Sequence, residues 1–185
     1  MMKNMLIISG HPNLQNSVAN QIILEELAKA LPNAEIRKLD ELYPDFQIDV
    51  QAEQNALANA DVIVWQFPFH WYSLPALMKK WLDDVFVHGF AHGSTAQLSG
   101  KKLLLSFTTG APKALYSPDN VMLHHIEDYC SVFESTTALC GLDYQVPMYM
   151  NGVSYVGRDE AKVAEQQQQA REYAATVIEK IQSLQ

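Results

Sequence analysis

The sequence is poor in basic residues and contains no long apolar run. Among its 185 residues there are 13 Lys and Arg against 21 Asp and Glu, which gives a net charge of −8. A protein that follows nucleic-acid phosphates needs clustered positive charge, so this composition excludes that class. Nowhere do eighteen consecutive apolar residues occur, so no membrane-spanning helix is predicted.

Cysteine is also scarce. Cys130 and Cys140 are the two cysteines, and they lie ten residues apart in a stretch with helical periodicity. A continuous helix would separate them by about 15 Å, which is beyond the reach of a disulfide. The first residues show no signal-peptide pattern. We therefore expect a protein of the reducing cytoplasm.

Two glycine-rich nucleotide motifs and a metal-ligand pattern are missing as well. The sequence contains neither GxxxxGK nor GxGxxG, which excludes a triphosphate-binding loop and a dinucleotide fingerprint. His88, His92, His124 and His125 do not have metal-ligand spacing with cysteines or carboxylates, so we predict no metal site. Any phosphate must then be held by backbone amides and hydroxyl groups.

What the sequence does contain is a regular alternation of strand and helix patterns. With 48% apolar and 18% charged residues, the chain has the composition of a globular protein, and we expect one domain over residues 1–185. The predicted strands cover residues 4–9, 34–39, 62–65, 102–108 and 144–149. Asn16 or Ser17 can cap a first helix, and helical periodicity also covers residues 49–59, 75–85, 118–141 and 159–184. This pattern predicts a doubly wound five-stranded parallel sheet.

The third predicted strand is followed by an unusually aromatic loop. Residues 62–65 form an apolar, β-branched run that is typical of a strand buried on both faces, and Pro68 is expected to interrupt its ladder. Phe69, His70, Trp71 and Tyr72 follow at the carboxyl end of the strand, where open α/β sheets bind ligands. The rings either stack on a flat ligand or fill the end of the core, and the sequence leaves both interpretations open.

Small and polar residues follow the first and fourth strands. Ser17 lies where a helix begins, so the free amides there form an anion site without any lysine, with His11 nearby. Taken alone, Ser17 is better explained as a helix cap, and His11 is equally well explained as a surface residue. After the fourth strand, Gly110 permits a positive φ or a close approach to a ligand. In strand order 2-1-3-4-5 these loops are neighbours, and together they suit the phosphate and ring of flavin mononucleotide (FMN).

With these loops in place, the chain resembles the flavodoxin-like NAD(P)H:quinone oxidoreductases. The likeness covers most of the chain and rests on three ordered motifs. These are His11-Pro12 with Ser17-Val18-Ala19-Asn20, then Pro68-Phe69-His70-Trp71-Tyr72, then Thr108-Thr109-Gly110 followed by Tyr116. Tyr43-Pro44-Asp45-Phe46 and Trp71-Tyr72-Ser73 are similar, more narrowly, to the ancillary subunits of glutathione-gated potassium-efflux systems.

The resemblance implies a set of cofactor-binding residues. FMN is implied rather than FAD, with its phosphate on His11, Ser17, Val18, Ala19 and Asn20. The flavin ring would lie between the loop of Pro68, Phe69, His70, Trp71 and Tyr72 and the loop of Thr108, Thr109, Gly110 and Ala111. Tyr116 matches a family tyrosine that donates towards the charge of the reduced ring. The partner histidine of the family is out of register, so His124 and His125 receive no role.

The resemblance also implies an activity and partners. A hydride would pass from NADH or NADPH to flavin N5 and then to a quinone or similar acceptor, in a two-electron ping-pong cycle on a wall formed by Trp71 and Tyr72. A homodimer is implied. The competing hypothesis is a regulatory subunit that docks on a membrane potassium antiporter and lies at the inner membrane only through that partner. A one-electron flavodoxin carrier is less favoured, because the first loop lacks the glycine-rich turn of such carriers.

Overall fold

A six-stranded parallel sheet forms the centre of the protein, in a computed structural model that describes residues 3–184. The strands run in the order β2-β1-β3-β4-β5, and β6 continues along β4 beyond β5, so the predicted flavodoxin-like order is confirmed. The strands are β1 Met5–Ser9, β2 Glu35–Lys38, β3 Val62–Pro68, β4 Lys102–Thr108, β5 Asp143–Tyr144 and β6 Met148–Met150. The helices are α1 Asn20–Ala30, α2 Leu39–Leu42, α3 Val50–Asn59, α4 Ala76–Val85, α5 Ser131–Cys140 and α6 Glu160–Ser183.

The sheet separates two apolar cores. On one face, Val64 of β3 belongs to a cluster with residues of α1 and α6, among them Ile23 and Ala174. On the other face, Trp65 packs edge-on against Trp81 of α4, with ring centroids 5.9 Å apart. Because both faces of β3 are covered, each of its residues is buried, which explains the unbroken apolar run in the sequence. No helix within residues 3–184 is long and apolar enough to cross a membrane.

The central strand runs through Pro68, so the expectation that this proline interrupts the ladder was wrong. Pro68 pairs with Thr108, and the next amide, that of Phe69, donates to the Thr108 carbonyl at 2.8 Å. The carbonyl of Gln66, two residues earlier, faces β1 and accepts from Gly10. An N–H group at position 68 would point to the same side as the Gln66 carbonyl, towards β1, which has already ended at this level. Pro68 therefore removes no hydrogen bond from the sheet.

The region predicted as one helix over 118–141 is irregular in its first ten residues and helical only after them, so the prediction of one continuous helix was wrong. The α-helix covers only Ser131–Cys140, after a short 3₁₀ turn at Asp128–Cys130. Leu123 has a left-handed φ of 62° and is 63% exposed, so it shares no buried helix face with Cys130. Turn chemistry overrides the apparent periodicity, since the His125 amide donates to the Asp128 carboxylate.

The last predicted strand, 144–149, is divided into β5 and β6. Residues 145–147 separate the two segments, and the middle one, Val146, is exposed. Pro147 has no backbone N–H to donate, which favours a break at this point. β6 then pairs with the carboxyl half of β4, from Ser106 to Thr108, and delivers the chain to the same sheet edge as β1, β3 and β4.

Candidate functional site

A groove of about 520 Å³ lies at the carboxyl edge of the sheet. The loops after β1, β3 and β4 meet there, together with the loop after β6. Its volume falls in the range of small-molecule and cofactor sites. The residues that line it are His11, Asn16, Ser17, Asn20, Pro68, Phe69, His70, Trp71, Thr108, Thr109, Gly110, Val153, Tyr155 and Arg158.

The β1 loop brings free backbone donors to one end of the groove. The Ser17 hydroxyl accepts the Asn20 amide at 3.0 Å, so Ser17 stabilises the first turn of α1, whose regular helix begins at Asn20. Within residues 3–184 the amides of Val18 and Ala19 donate to no protein acceptor, and Ala19 is buried. An unpaired buried N–H is costly, so this end of the groove is built for an acceptor such as a phosphate oxygen.

A buried chain of polar side chains lies beneath this end of the groove. Asn20, 3% exposed, donates from Nδ2 to Thr108 Oγ1 and accepts from Gln66 Nε2, both at 2.9 Å. Ser106 Oγ donates to Gln66 Oε1 at 2.6 Å and lies 2.9 Å from the Tyr173 hydroxyl on α6. The Asn20 side chain therefore links the N-terminal end of α1 to β3 and β4 by hydrogen bonds.

The β3 loop is a tight turn with two bulky residues in the left-handed region. His70 and Ser73 exchange backbone hydrogen bonds of 3.1 and 3.0 Å, and the two residues between them, Trp71 and Tyr72, have φ of 47° and 63°. Two-residue turns of this kind favour Asn-Gly, so the aromatic pair is strained.

The aromatic side chains of this turn do not fill the core. Trp71 is 93% exposed at the groove, which excludes the interpretation that it plugs the end of the sheet. Tyr72 lies outside the lining and stacks on Tyr129 with ring centroids 4.9 Å apart. Of the four amides from Phe69 to Tyr72, those of Phe69 and His70 donate to protein carbonyls. Among these four amides, those of Trp71 and Tyr72 have no acceptor within residues 3–184.

The β4 loop is fixed by Thr109. Its hydroxyl contacts the Ala111 carbonyl at 2.9 Å and Asn151 Oδ1 at 2.8 Å, and its amide donates to the Met150 carbonyl. Gly110 does not have a positive φ, and a Cβ built on it would meet nothing within 4 Å, so the chain itself does not require glycine there. The amides of Gly110 and Ala111 have no acceptor within residues 3–184.

Tyr116 lies behind this loop, outside the groove lining. It is 8% exposed and packs edge-on against Tyr129, with ring centroids 6.3 Å apart. Burial raises the pKa of its hydroxyl, so Tyr116 keeps its proton in the physiological range. Val18, Ala19, Tyr72 and Ala111 also lie outside the lining by their side chains, so their contribution to the groove is limited to the backbone.

Burial lowers the pKa of both groove histidines, which favours their neutral forms. Burial is the main cause that lowers the pKa of His11 to about 4, with a further contribution from nearby His70, whose own pKa is lowered by burial. His11 Nδ1 accepts the Asn13 amide at 3.1 Å, so the proton of the neutral ring is on Nε2. Arg158 is thus the one cationic side chain in the groove lining.

Sequence reasoning missed the loop after β6. Val153, Tyr155 and Arg158 come from residues that were treated only as a connection to the last helix. The available signal was positional, because the last strand of a parallel sheet also ends at the ligand edge. Within residues 3–184 no group of three or more His, Cys, Asp or Glu side chains could hold a metal ion.

The strand order and a groove at the ends of β1, β3 and β4 define a flavodoxin-like α/β protein. The family model described as a flavodoxin-like fold matches residues 3–174, and the chain belongs to this family. It is 42% identical over 176 residues to the glutathione-regulated potassium-efflux system ancillary protein KefF of Enterobacter sp. (strain 638), which covers 94% of this chain and 95% of that protein.

Two solved structures are also similar. General stress protein 14 of Treponema denticola, determined in complex with FMN, is 33% identical with a TM-score of 0.85, over 98% of this chain and 99% of that one. An NADPH-quinone reductase from P. pentosaceus, at 23% identity and a TM-score of 0.72, covers 95% of this chain and 97% of that one. At that identity, the second likeness shows the fold alone.

Proposed function

We propose that this protein is an FMN-dependent oxidoreductase that reduces quinones with NADH or NADPH. One observation carries the proposal: among residues 3–184, backbone donors without a protein acceptor lie around one groove, at the N-terminal end of α1 and in the loops of β3 and β4. Such a set fits a molecule with a phosphate at one end and a planar ring with acceptor atoms at the other. The FMN bound to the Treponema denticola protein is such a molecule.

The phosphate end would be held by the β1 loop. The Ser17 hydroxyl and the amides of Val18 and Ala19 supply donors, and the positive end of the α1 dipole favours the dianion. The Nε2 proton of neutral His11 adds one donor at the same loop. Asn20 would act mainly by holding the tip of α1 in place, because its side chain is already bonded to Thr108 and Gln66.

The ring end would lie between the β3 and β4 loops. Trp71 and Tyr72 offer amides along one edge, while Gly110 and Ala111 offer amides along the other. Donors fixed in advance stabilise negative charge that develops on a reduced ring. The exposed Trp71 ring supplies a wall against which nicotinamide and quinone would stack in turn.

Pro68, Phe69, His70, Thr108 and Thr109 would complete the walls. Tyr116 would donate from behind the β4 loop towards the charged edge, with a hydroxyl whose burial keeps it protonated. When bound, FMN supplies the redox chemistry: it accepts a hydride from the nicotinamide and delivers that hydride to the quinone, which takes a proton from the medium to become a hydroquinone.

The test is reconstitution of the purified protein with FMN, followed by anaerobic mixing with NADH or NADPH and then with a benzoquinone. We expect bleaching of the flavin absorbance by the nicotinamide and its recovery on addition of quinone, in two separable steps. A protein that takes up no FMN, or flavin that stays oxidised with both donors, would contradict the proposal. Replacing FMN by FAD in the same assay tests the choice of cofactor.

A second candidate function is that of an ancillary subunit of a membrane potassium-efflux antiporter. It is favoured by the 42% identity to the Enterobacter protein of that name over nearly the whole of both chains. In this role the protein would be cytoplasmic and would lie at the inner membrane through its partner. Co-purification with an antiporter, and loss of potassium efflux when this protein is deleted, would support it, whereas efflux that is unchanged by the deletion would contradict it.

We also propose that the chain is one domain over residues 1–185 and forms a homodimer. A single cooperative unfolding transition and a light-scattering mass of twice 20.8 kDa are the expected results. A monomer mass at micromolar concentration would contradict the dimer.

A further inference from the structure

Arg158 lies at the phosphate end of the groove rather than at the ring end. It lies two residues before the first residue of α6, which packs beside α1 on one face of the sheet, where Ala19 and Val153 belong to the same apolar cluster. Both helices follow parallel strands, so their N-terminal ends lie together at the groove edge. The ring-side residues, among them Phe69 and Tyr116, belong to the cluster on the opposite face.

The guanidinium group of Arg158 is oriented but not neutralised. Its Nε donates to the Ser154 carbonyl at 3.3 Å, while its two terminal nitrogens have no acceptor within residues 3–184. Among the described residues, no carboxylate lies within ion-pair distance of Arg158. The nearest acid in sequence, Asp159, accepts the Lys162 amide at 2.8 Å and caps α6. A half-buried arginine without a counter-ion, in a protein of net charge −8, requires an explanation.

We propose that Arg158 binds the phosphate monoester of the flavin from the side opposite the α1 amides, and so makes the site selective for FMN over riboflavin. This inference rests on the proposed function. The amides and the Ser17 hydroxyl alone provide no full positive charge, and burial lowers the pKa of both groove histidines, which favours their neutral forms. Among the lining residues, Arg158 alone brings a full positive charge, so its hydrogen bonds to the dianion are ionised on both sides. Riboflavin has the same ring and ribityl chain without the phosphate, so it does not use this contact.

The test measures binding of FMN and of riboflavin to flavin-free protein by fluorescence quenching, for the unmodified chain and for Arg158→Gln. We expect the FMN dissociation constant to rise about ten- to one-hundredfold, while that of riboflavin changes less than about twofold. Arg158→Lys should recover part of the FMN affinity, because it keeps the charge but loses the planar fork. Arg171→Gln, an exposed change of equal charge on α6, should leave both constants unchanged.

Several outcomes would overturn the inference. If Arg158→Gln weakens FMN and riboflavin equally, Arg158 has only a structural role in the loop. If the variant binds FMN normally but its KM for NADPH or NADH rises, the anion is a phosphate of the nicotinamide nucleotide. If Arg158→Gln binds FMN and riboflavin with the same dissociation constants as the unmodified chain, this inference fails while the proposed function stands. If the unmodified protein binds no flavin, the proposed function fails and this inference fails with it.

Discussion

Replacing Asn20 by alanine tests whether the groove depends on the polar contacts beneath it. The change removes two buried hydrogen bonds of 2.9 Å, one to Thr108 and one from Gln66, and leaves the Gln66 amide without its acceptor. Two side-chain bonds at about 1 kcal/mol each and one unsatisfied donor at about 1–3 kcal/mol give a sum of roughly 3–5 kcal/mol. Water entering from the groove reduces this, so we expect a loss of about 2–3 kcal/mol in the free energy of unfolding.

Urea unfolding of flavin-free protein measures this loss directly, and FMN titration of the same variant measures its effect on the site. FMN affinity should fall as well, because the tip of α1 is no longer fastened to β3 and β4. Asn33→Ala, a change of the same residue type at an exposed position, is the matched control and should cost no more than about 0.5 kcal/mol. If the two variants are equally stable, the polar network does not hold the site together and the reasoning fails.

The other predictions concern the turn, the pH response and a buried ion pair. Trp71→Gly should raise the free energy of unfolding by about 0–1 kcal/mol, because glycine accepts φ of 47° without strain, and quinone reduction should slow because the stacking wall is lost. A decrease of more than about 1 kcal/mol in the free energy of unfolding, measured by thermal unfolding, would contradict this. The pKa of His11 is lowered in the folded state, so on acidification the unfolded chain takes up a proton first, and the free energy of unfolding should fall as the pH decreases from 6.5 to about 4. With allowance for solvent screening, urea titrations of His11→Asn should show a loss over this pH range that is smaller by about 1–2 kcal/mol. Glu53 is fully buried and accepts from Trp81 and Arg37, so Glu53→Gln should cost about 3 kcal/mol, and an unchanged urea midpoint would show that the ion pair is neutral for stability.

Most of the fold could be predicted because it depends on local pattern. Apolar runs bounded by polar loops predict strands buried on both faces, and β4 lies where its run predicts. The wrong predictions concern positions whose conformation depends on interactions that a local pattern does not show. Pro68 is compatible with the sheet only because β1 ends before it reaches the level of that residue. Leu123 is not helical, because turn contacts such as the bond from the His125 amide to Asp128 fix its segment in another conformation.

The candidate site shows the same division. The three loops were predicted to meet because the carboxyl ends of parallel strands share one edge, and the structure brings them together. The sequence did not predict which amides are free, because that depends on partners distant in the chain, such as the Thr108 carbonyl that takes the Phe69 amide. It also did not predict Arg158, whose place beside α1 depends on the packing of α6.

By itself, then, the sequence determined the order of strands and helices and the three loops at the ligand edge, since these follow from periodicity, composition and connectivity along the chain. Only the tertiary structure decided that Trp71 faces solvent, that burial lowers the pKa of His11 and His70, and that Arg158 lines the groove without an ion-pair partner among residues 3–184. The physical reason is that exposure, pKa and hydrogen-bond partnership are set by atoms from several chain segments at once, and no single segment carries that information.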